Sequence, residues 1–457
     1  MIDILILAAG QGTRMKSRRA KVLHRAGGRS LIEHVVEAAH AITSPERITV
    51  VVGHQADQVK ALLKRTGVRF AEQTQQKGTG HAVLCARDVV SRDAELLMVL
   101  YGDTPLLSSA TLGALAESQR RSKAAATVIT TDLDDPTGYG RAILDAQGNL
   151  EAIVEHKAAS PEQLLVRCIN SGIYCFRAAA LWKHIDEIHC DNPAGEYYLT
   201  DIVAVLRAAG ETVAALHVSD TTELLGINTR IELAEVDRIL RGRKVRELML
   251  SGVTIEKAET VSIDSQVRIG MDTVIEPFVR ILGDTEIGED CRIGAGAIIE
   301  GSRLGSNIEV QPYTLIRSAE VGMGARLGPF ARLRPDTRVG AGAHVGNFVE
   351  LKNTRLGAGA KANHLAYLGD SEIGDKANIG AGTITCNYDG FKKHKTSIGA
   401  GAFIGSNATL VAPIDVGDGS YVGAGSTITD LVPPNALALG RGRQVNKEGW
   451  VKKRKKS

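Results

Sequence analysis

Paired cysteines are missing from this sequence. Its six, Cys85, Cys168, Cys175, Cys190, Cys291 and Cys386, are scattered with no CxxC spacing. That excludes a disulfide framework and a zinc site, and fits reduced thiols in a cytoplasmic protein. Long hydrophobic runs are missing too: nothing reaches about 18 apolar residues, so no membrane span is expected. The chain enters a strand at once, with Asp3 inside it and no basic leading region, so no signal peptide is expected. Charge of one sign is lacking as well. The 55 Lys and Arg against 52 Asp and Glu leave +3, too balanced to predict a nucleic-acid binder. The one dense run, Lys452-Lys453-Arg454-Lys455-Lys456, reads as a solvated tail or as a contact for an anion. Aromatics reach only 4%, while the 44% hydrophobic and 23% charged fractions are those of a globular protein. Glycine is abundant and uneven: 49 in 457 residues, 18 of them in 1–251 and 31 in 252–457. Two halves built on different principles are expected.

In the first half, residues 2–8 form a nearly continuous apolar run, the pattern of a strand buried on both faces. A glycine-rich turn follows, then an amphipathic helix over 31–39, a strand over 48–52, a helix over 55–63 and a buried strand over 95–100. Such alternation predicts a doubly wound α/β sheet with ligands at the carboxyl ends of its strands. The first turn reads Leu7-Ala8-Ala9-Gly10-Gln11-Gly12-Thr13-Arg14-Met15. Its glycines serve either a plain tight turn or a close backbone approach to an anion. The third glycine of a dinucleotide fingerprint and the G-K-[ST] of a P-loop are both absent. The cations Arg14 and Lys21 just downstream favour a triphosphate or sugar phosphate. Tyr101-Gly102-Asp103 ends the 95–100 strand, and Asp103 there is either a helix-capping turn residue or a Mg²⁺ ligand through one carboxylate and waters.

Further segments follow in order: Gly78-Thr79-Gly80-His81, Pro136-Thr137-Gly138-Tyr139-Gly140-Arg141, Ile153-Val154-Glu155-His156-Lys157, Ile169-Asn170-Ser171-Gly172 and Gly226-Ile227-Asn228-Thr229-Arg230. Together with LAAGQGTRM and Lys21-Val22-Leu23 they resemble the sugar-1-phosphate nucleotidyltransferases, most closely the bacterial N-acetylglucosamine-1-phosphate uridyltransferases. One departure is Ala20, where the family motif has a proline before its lysine. The resemblance implies that Leu7, Ala8, Ala9 and Gly10 line the uracil and phosphate site and that Gln73, Gly78 and Thr79 read the uracil. It implies that Arg14 and Lys21 hold the phosphates of UTP, and that Tyr101, Gly102, Gly140, Glu155 and Asn170 contact the nucleotide-sugar. Asp103 and Asn228 would bind Mg²⁺, Asn228 also lying against the nucleotide. A sugar phosphate oxygen is already anionic at pH 7, so in-line attack on the α-phosphate needs positioning and charge neutralisation but no base. The lack of a His or Cys nucleophile in these motifs is then expected.

Between the halves, Ile231, Ala234, Val236, Ile239, Leu240, Val245, Leu248 and Met249 recur at helical spacing. They predict one connecting helix of about 22 residues, or about 33 Å.

The second half is repetitive. Aliphatic residues fall at every sixth position from Ile263 to Ile299, and after five-residue steps to Leu304 and Val321 the period resumes at Leu327. It runs on through Leu351, Leu368 and Ile379 and, later, from Ile398 to Ile428, with glycine commonly next. This is the hexapeptide signature of a parallel β-helix, whose narrow core has no room for rings and so explains the few aromatics. About ten coils at roughly 4.8 Å would make a prism near 50 Å long. The period breaks between Thr385 and Ile398, predicting that Cys386–Ser397 is an extruded loop, functional or merely tolerated.

Three stretches, Asn347–Lys352, Ala362–Asp370 and Asn378–Tyr388, resemble the glucosamine-1-phosphate acetyltransferase half of the same bifunctional family. With the closing Lys447-Glu448-Gly449-Trp450, the similarity covers nearly the whole chain. His364 stands two residues after an inward Ala362, so it points outward, as a surface residue or as the base that deprotonates the substrate amine. The family implies the second role. It further implies that Arg334 and Lys352 clamp the sugar phosphate, that Tyr367 and Asn378 fix the ring, and that Ala381, Asn387, Tyr388, Ser406, Ala424 and Arg441 bind acetyl-CoA. Such sites are assembled between the prisms of a homotrimer, and in this family the β-helix is left-handed.

The expected architecture is a Rossmann-like doubly wound nucleotidyltransferase domain (1–229), a linker helix (230–250) and a hexapeptide β-helix acetyltransferase domain (251–457). The expected role is cytoplasmic supply of UDP-N-acetylglucosamine for envelope polymers from glucosamine-1-phosphate, acetyl-CoA and UTP, with Mg²⁺. A nucleotidyltransferase with a merely regulatory prism, as in ADP-glucose pyrophosphorylases, is disfavoured by His364, Tyr367 and Asn387-Tyr388. A non-catalytic exchange-factor subunit is disfavoured by Asp103 and Lys21.

Overall fold

The apolar run Ile2–Ala8 is a strand buried at every position. It pairs in parallel with Ile48–Val52 on one side and Leu96–Tyr101 on the other. Odd and even residues serve different layers. Ile4 and Ile6 pack with Ile32, Val35 and Leu112, whereas Leu5 and Leu7 pack with Val83, Leu181 and Val203. Each fully buried side chain of this size contributes roughly 1.5–3 kcal/mol, so the alternation fixes the register of the central strand. Asp3, polar and buried in the same run, is held by Arg47 at 2.6 Å, Arg69 at 3.1 Å and the Ser91 N–H at 2.9 Å. The helix Leu31–His40 begins at a capping box between Ser30 and Glu33.

The computed structural model describes residues 1–192 and 195–455. Its first sheet runs Val213–His217, Ala126–Asp132, Cys168–Arg177, Leu96–Tyr101, Ile2–Ala8, Ile48–Val52, Arg69–Glu72, with Arg141–Leu144 and Leu150–Val154 appended. The sheet is not wholly parallel: Cys168–Arg177 runs antiparallel to both neighbours. Nothing in its periodicity announces that direction.

The chain divides into two compact units, Met1–Leu240 and Arg241–Ser457. The helix Arg230–Leu250 crosses the division. More than a spacer, it carries two separate sets of core residues. Val236 and Leu240 pack with Met15, Leu31, Leu106 and Ile227, while Val245 and Leu248 belong to the core of the second unit.

That second unit is a stack of short strands in three parallel sheets of 11, 10 and 9 strands. Inward residues stack rung on rung, as in Ile263, Ile281, Ile299, Ile316, Leu333, Leu351 and Leu368. Val310 and Ile316 fill the inward places between Leu304 and Val321, where the sequence pattern lapses. Turns are tight: a Cβ on Gly346 would lie 2.1 Å from the Asn363 carbonyl oxygen. Rings sit outside the core, with Tyr313, Phe330 and Phe348 stacked along one corner at centroid distances of 5.3 and 5.2 Å. Both Ile384–Cys386 and Thr396–Ile398 are paired strands, so the extruded loop is shorter than the spacing predicts and spans 387–395. The basic tail contains a short exposed helix, Trp450–Arg454, and its Lys456 lies outside the described residues.

Candidate active sites

At the carboxyl ends of the central strands lies a cavity of about 510 Å³. Leu7, Ala8, Ala9, Gly10, Lys21, Gln73, Gly78, Thr79, Tyr101 and Asp103 line it. Backbone bonds bring them there. The Gln73 N–H donates to the Val52 carbonyl at 2.8 Å, the Gly102 N–H to Leu7 at 3.0 Å and the Ile227 N–H to Asp103 at 3.0 Å. Gly12, at φ 65°, lets the loop lie on the stem of Lys21, where a Cβ would come within 2.6 Å. Gly78, at φ 101°, is required by the Tyr197 carbonyl oxygen, 2.5 Å from a built Cβ.

On the cavity floor, the Lys21 ammonium bonds the Asp103 carboxylate and lies 3.3 Å from Asn228 Oδ1. Arg14 donates to the same Asn228 oxygen at 2.8 Å. One carboxylate and one amide oxygen therefore converge within reach of a single cation. Such an all-oxygen pair suits a hard divalent ion that takes its remaining ligands from phosphates and water. Among the described residues no cluster of three His, Cys, Asp or Glu could hold a metal by itself.

Gly140, Glu155 and Asn170 are not among the residues that line this cavity; they gather near Tyr101, whose phenol feels the Glu155 charge. A Cβ on Gly140 would sit 3.6 Å from Glu155 Oε1, and the Asn170 N–H donates to the Gly140 carbonyl at 2.9 Å. Asn170 also donates to the Tyr174 hydroxyl at 3.1 Å. Burial, reinforced by nearby Asp201, raises the pKa of Glu155, and burial raises that of Asp201. Burial and the Asp103 charge raise the Tyr101 phenol as well, keeping it neutral. Gly172, at φ 81°, leaves room for the Tyr101 ring.

On the second unit, Glu350 and Tyr367 sit on consecutive rungs of the ten-stranded sheet, as do Lys352 and Gly369. Arg334 bonds Glu350 at 2.9 Å. Lys352 lies 3.7 Å from Asp370, which also accepts from Asn353 at 2.7 Å and from Asn387. Burial opposes the Asp370 charge, but the two amide hydrogen bonds and the Lys352 ammonium prevail and hold its pKa down. A side chain on Gly369 would strike the Tyr367 hydroxyl and the Asn387 amide, so glycine allows those two to converge. His364 is exposed at the end of a strand of the eleven-stranded sheet. Above it the Gly382 N–H donates to His364, the Asn407 N–H to Ala381 and the Gly425 N–H to Ser406, so these residues form one column up a corner. Arg441 closes that column by donating to the Ala424 carbonyl at 2.9 Å. Asn378 belongs to the eleven-stranded sheet, a different face from Arg334, Lys352 and Tyr367. The four are thus spread over two sheets of one prism. Tyr388 is exposed, its hydroxyl donating to the Gly390 carbonyl at 2.6 Å.

Residues 4–165 match the MobA-like NTP transferase domain family. Residues 266–301 match the bacterial transferase hexapeptide (six repeats), and 395–430 the hexapeptide repeat of succinyl-transferase. Over the full chain, "Bifunctional protein GlmU" of Solibacter usitatus is 56% identical across 455 residues, covering 100% of this chain and 98% of the relative. The protein of that name from Koribacter versatilis is 50% identical, with 99% and 97% covered. The one from Stutzerimonas stutzeri is 47% identical, with 100% of both chains covered.

The chain belongs to the bifunctional GlmU family.

For this GlmU-family chain the hexapeptide stack is a left-handed parallel β-helix following a nucleotidyltransferase domain. No helix among the described residues is long and apolar enough to cross a membrane. Ala20, the departure from the family motif, has φ −55°, and its N–H donates to Gln55 Oε1 at 2.8 Å. Gln55 in turn donates to the Arg18 carbonyl at 2.7 Å, a clamp that a proline nitrogen could not join. Sequence reasoning did not single out Glu196 of the cavity wall or Asp201 beside Glu155. Both lie in a segment with no motif, which reaches the site through hydrogen bonds to the 77–80 turn: the Gly80 N–H to the Tyr197 carbonyl at 2.8 Å, the Tyr197 N–H to the Lys77 carbonyl at 2.8 Å and the Leu199 N–H to the Thr79 hydroxyl at 2.9 Å.

Proposed function

We infer that the chain is a bifunctional enzyme that acetylates glucosamine-1-phosphate with acetyl-CoA and then transfers UMP from UTP to N-acetylglucosamine-1-phosphate, releasing pyrophosphate. The observation that carries the reading is the convergence of Lys21, Asp103 and Asn228 under the Leu7–Gly10 turn, on a chain similar to GlmU proteins from end to end. Uridylyl transfer belongs to residues 1–229, the linker helix to 230–250 and acetyl transfer to 251–457.

In the first site, Leu7, Ala8, Ala9 and Gly10 face the nucleotide, and Gln73, Gly78 and Thr79 read the base. Arg14 and Lys21 neutralise the phosphates, while Tyr101, Gly102, Gly140, Glu155, Asn170 and Asn228 contact the nucleotide-sugar. Asp103 and Asn228 would hold Mg²⁺, which supplies charge neutralisation on the phosphates when bound. Lys21, now engaged with both residues, is freed to pair with a phosphate oxygen. The attacking sugar phosphate needs no base, so these residues position and neutralise rather than exchange protons.

In the second site, His364 takes the proton from the amine as it attacks the thioester. Arg334 and Lys352 grip the sugar phosphate, Tyr367 and Asn378 the ring, and Ala381, Asn387, Tyr388, Ser406, Ala424 and Arg441 the acetyl-CoA. The separation of Asn378 from Tyr367 on two faces of one prism supports a site completed by a second copy, as in a homotrimer. Hexapeptide stacks favour such assembly, and the substrates place the enzyme in the cytoplasm. One preparation assayed for acetyl transfer and for UTP-dependent pyrophosphate release tests the reading. Absence of either activity overturns its half.

A further inference from the structure

Gln73 is buried, and its side chain is held from two sides. Nε2 lies 2.9 Å from the Gly78 carbonyl oxygen and 3.0 Å from His81 Nδ1. A carbonyl only accepts, so the amide nitrogen must face Gly78, and the amide cannot be turned round without losing that bond. The second amide hydrogen then points at His81 Nδ1, which must carry a lone pair. The imidazole is therefore neutral with its proton on Nε2. Gln73 Oε1 makes no hydrogen bond among the described residues, and Gln73 lines the cavity. The side chain thus presents an acceptor and withholds its donor.

We propose that His81 is a positioning residue that sets base specificity, its unprotonated Nδ1 locking Gln73 so that only an acceptor faces the nucleobase. An acceptor suits a base with a ring N–H, as uracil has at N3, and repels one with a ring lone pair, as cytosine has there. This rests on the reading of the cavity as a uridine nucleotide site. Protonation of His81 puts a donor against the Gln73 donor. The amide then turns, Oε1 goes to His81, and Nε2 faces the base at the cost of the Gly78 bond. Burial and the Lys77 charge lower the His81 pKa and hold the neutral form, against a Gln75 backbone hydrogen bond that favours the cation. The other neighbours are Cys85, with Sγ 3.8 Å from Nε2, and the Tyr197 ring at a centroid distance of 6.4 Å.

The test compares kcat/KM for UTP and CTP, with N-acetylglucosamine-1-phosphate, on the full chain across pH. The wild type is expected to prefer UTP and to lose part of that preference as pH falls and His81 protonates. His81→Ala is expected to cut the UTP:CTP ratio on the order of 10-fold, since one of the two hydrogen bonds that oppose turning of the amide is lost and only the Gly78 bond remains. His81→Asn, whose Oδ1 can stand near the place of Nδ1, is expected to restore the ratio and abolish its pH dependence. An unchanged ratio in His81→Ala, or an equal fall with both nucleotides, overturns the proposal. If His81→Ala does not fold, the wild-type pH profile and His81→Asn decide it. Failure of the wild type to use UTP or CTP would instead strike the uridylyl reading itself.

Discussion

The Ile227 N–H donates to the Asp103 carbonyl at 3.0 Å. That backbone bond sets Asn228 beside Asp103 although the two belong to distant segments, and on it rests the cation site proposed for them beside Lys21. Asp103→Ala is therefore expected to reduce uridylyl transfer by at least about 10²-fold, as for other losses of transition-state charge stabilisation. Acetyl transfer is expected to persist, because its residues lie in the other unit. Both assays on one folded preparation check this, and a parallel loss of the two activities sinks the two-site assignment.

His364→Ala is expected to lower acetyl transfer on the order of 10²-fold, the usual scale for a lost general base. Uridylyl transfer should survive, since a phosphate nucleophile needs no deprotonation. Retained acetylation at neutral pH would transfer the role elsewhere, Glu350 being the next carboxylate in the cluster. Glu350 is already paired with Arg334, which counts against it as a proton acceptor.

Ala20 offers a thermodynamic test of the loop that carries Lys21. At φ −55° its backbone already suits proline, which would restrict the unfolded chain and stabilise by about 0.4–1 kcal/mol. The same change removes the N–H that Gln55 accepts, costing about 0.5–1.5 kcal/mol. Ala20→Pro alone should therefore leave stability nearly unchanged, whereas in a Gln55→Ala background it should stabilise. Urea melts of the four combinations measure the coupling. Equal effects in both backgrounds would show that the Gln55 clamp contributes nothing.

Much of this was legible in the sequence, for identifiable reasons. Strand Ile2–Ala8 and helix Leu31–His40 follow from local periodicity, and the prism core follows from a six-residue repeat that a narrow triangular coil enforces. What escaped was non-local. The antiparallel run of Cys168–Arg177 depends on its partners, and Asp201 reaches Glu155 only through folding of an unpatterned segment. The extruded loop was overestimated because Cys386, Thr396 and Ser397 carry no aliphatic signal, although they pair in register with the neighbouring rungs.

The same Glu155–Asp201 pair makes stability depend on pH. Both carboxyl groups have folded-state pKa values raised above their ordinary 4.5 and 3.8, Glu155 by burial and then by Asp201, Asp201 by burial. The folded protein thus binds more protons than the unfolded chain in the window above those values. The contribution is fully present below the ordinary values and is lost as pH rises through the raised ones. Asp201→Asn removes one charge and relieves the other. Its melting temperature should exceed that of the wild type increasingly as pH climbs past 4.5. A constant difference from pH 4 to pH 7 would refute the coupling.

The last prediction concerns where the first unit can be cut. A boundary at 229 would remove Glu232, whose carboxylate accepts the Thr229 N–H at 2.7 Å, and Asp237, which accepts the Gly27 N–H at 2.8 Å. It would also uncover Met15, Leu31 and Leu106, which pack against Val236 and Leu240. Exposing that cluster costs several times the 1.5–3 kcal/mol of one large side chain, comparable to the whole stability of a domain. A chain ending at 250 keeps these contacts and is expected to be a folded monomer that makes UDP-N-acetylglucosamine from N-acetylglucosamine-1-phosphate. A chain ending at 229 is expected to melt far lower or fail to fold. In the full-length protein, dilution should cost acetyl transfer before uridylyl transfer, by mass action on the proposed homotrimer. Sedimentation with both assays across a concentration series tests this, and full acetyltransferase activity in a monomer would remove the case for a site shared between subunits.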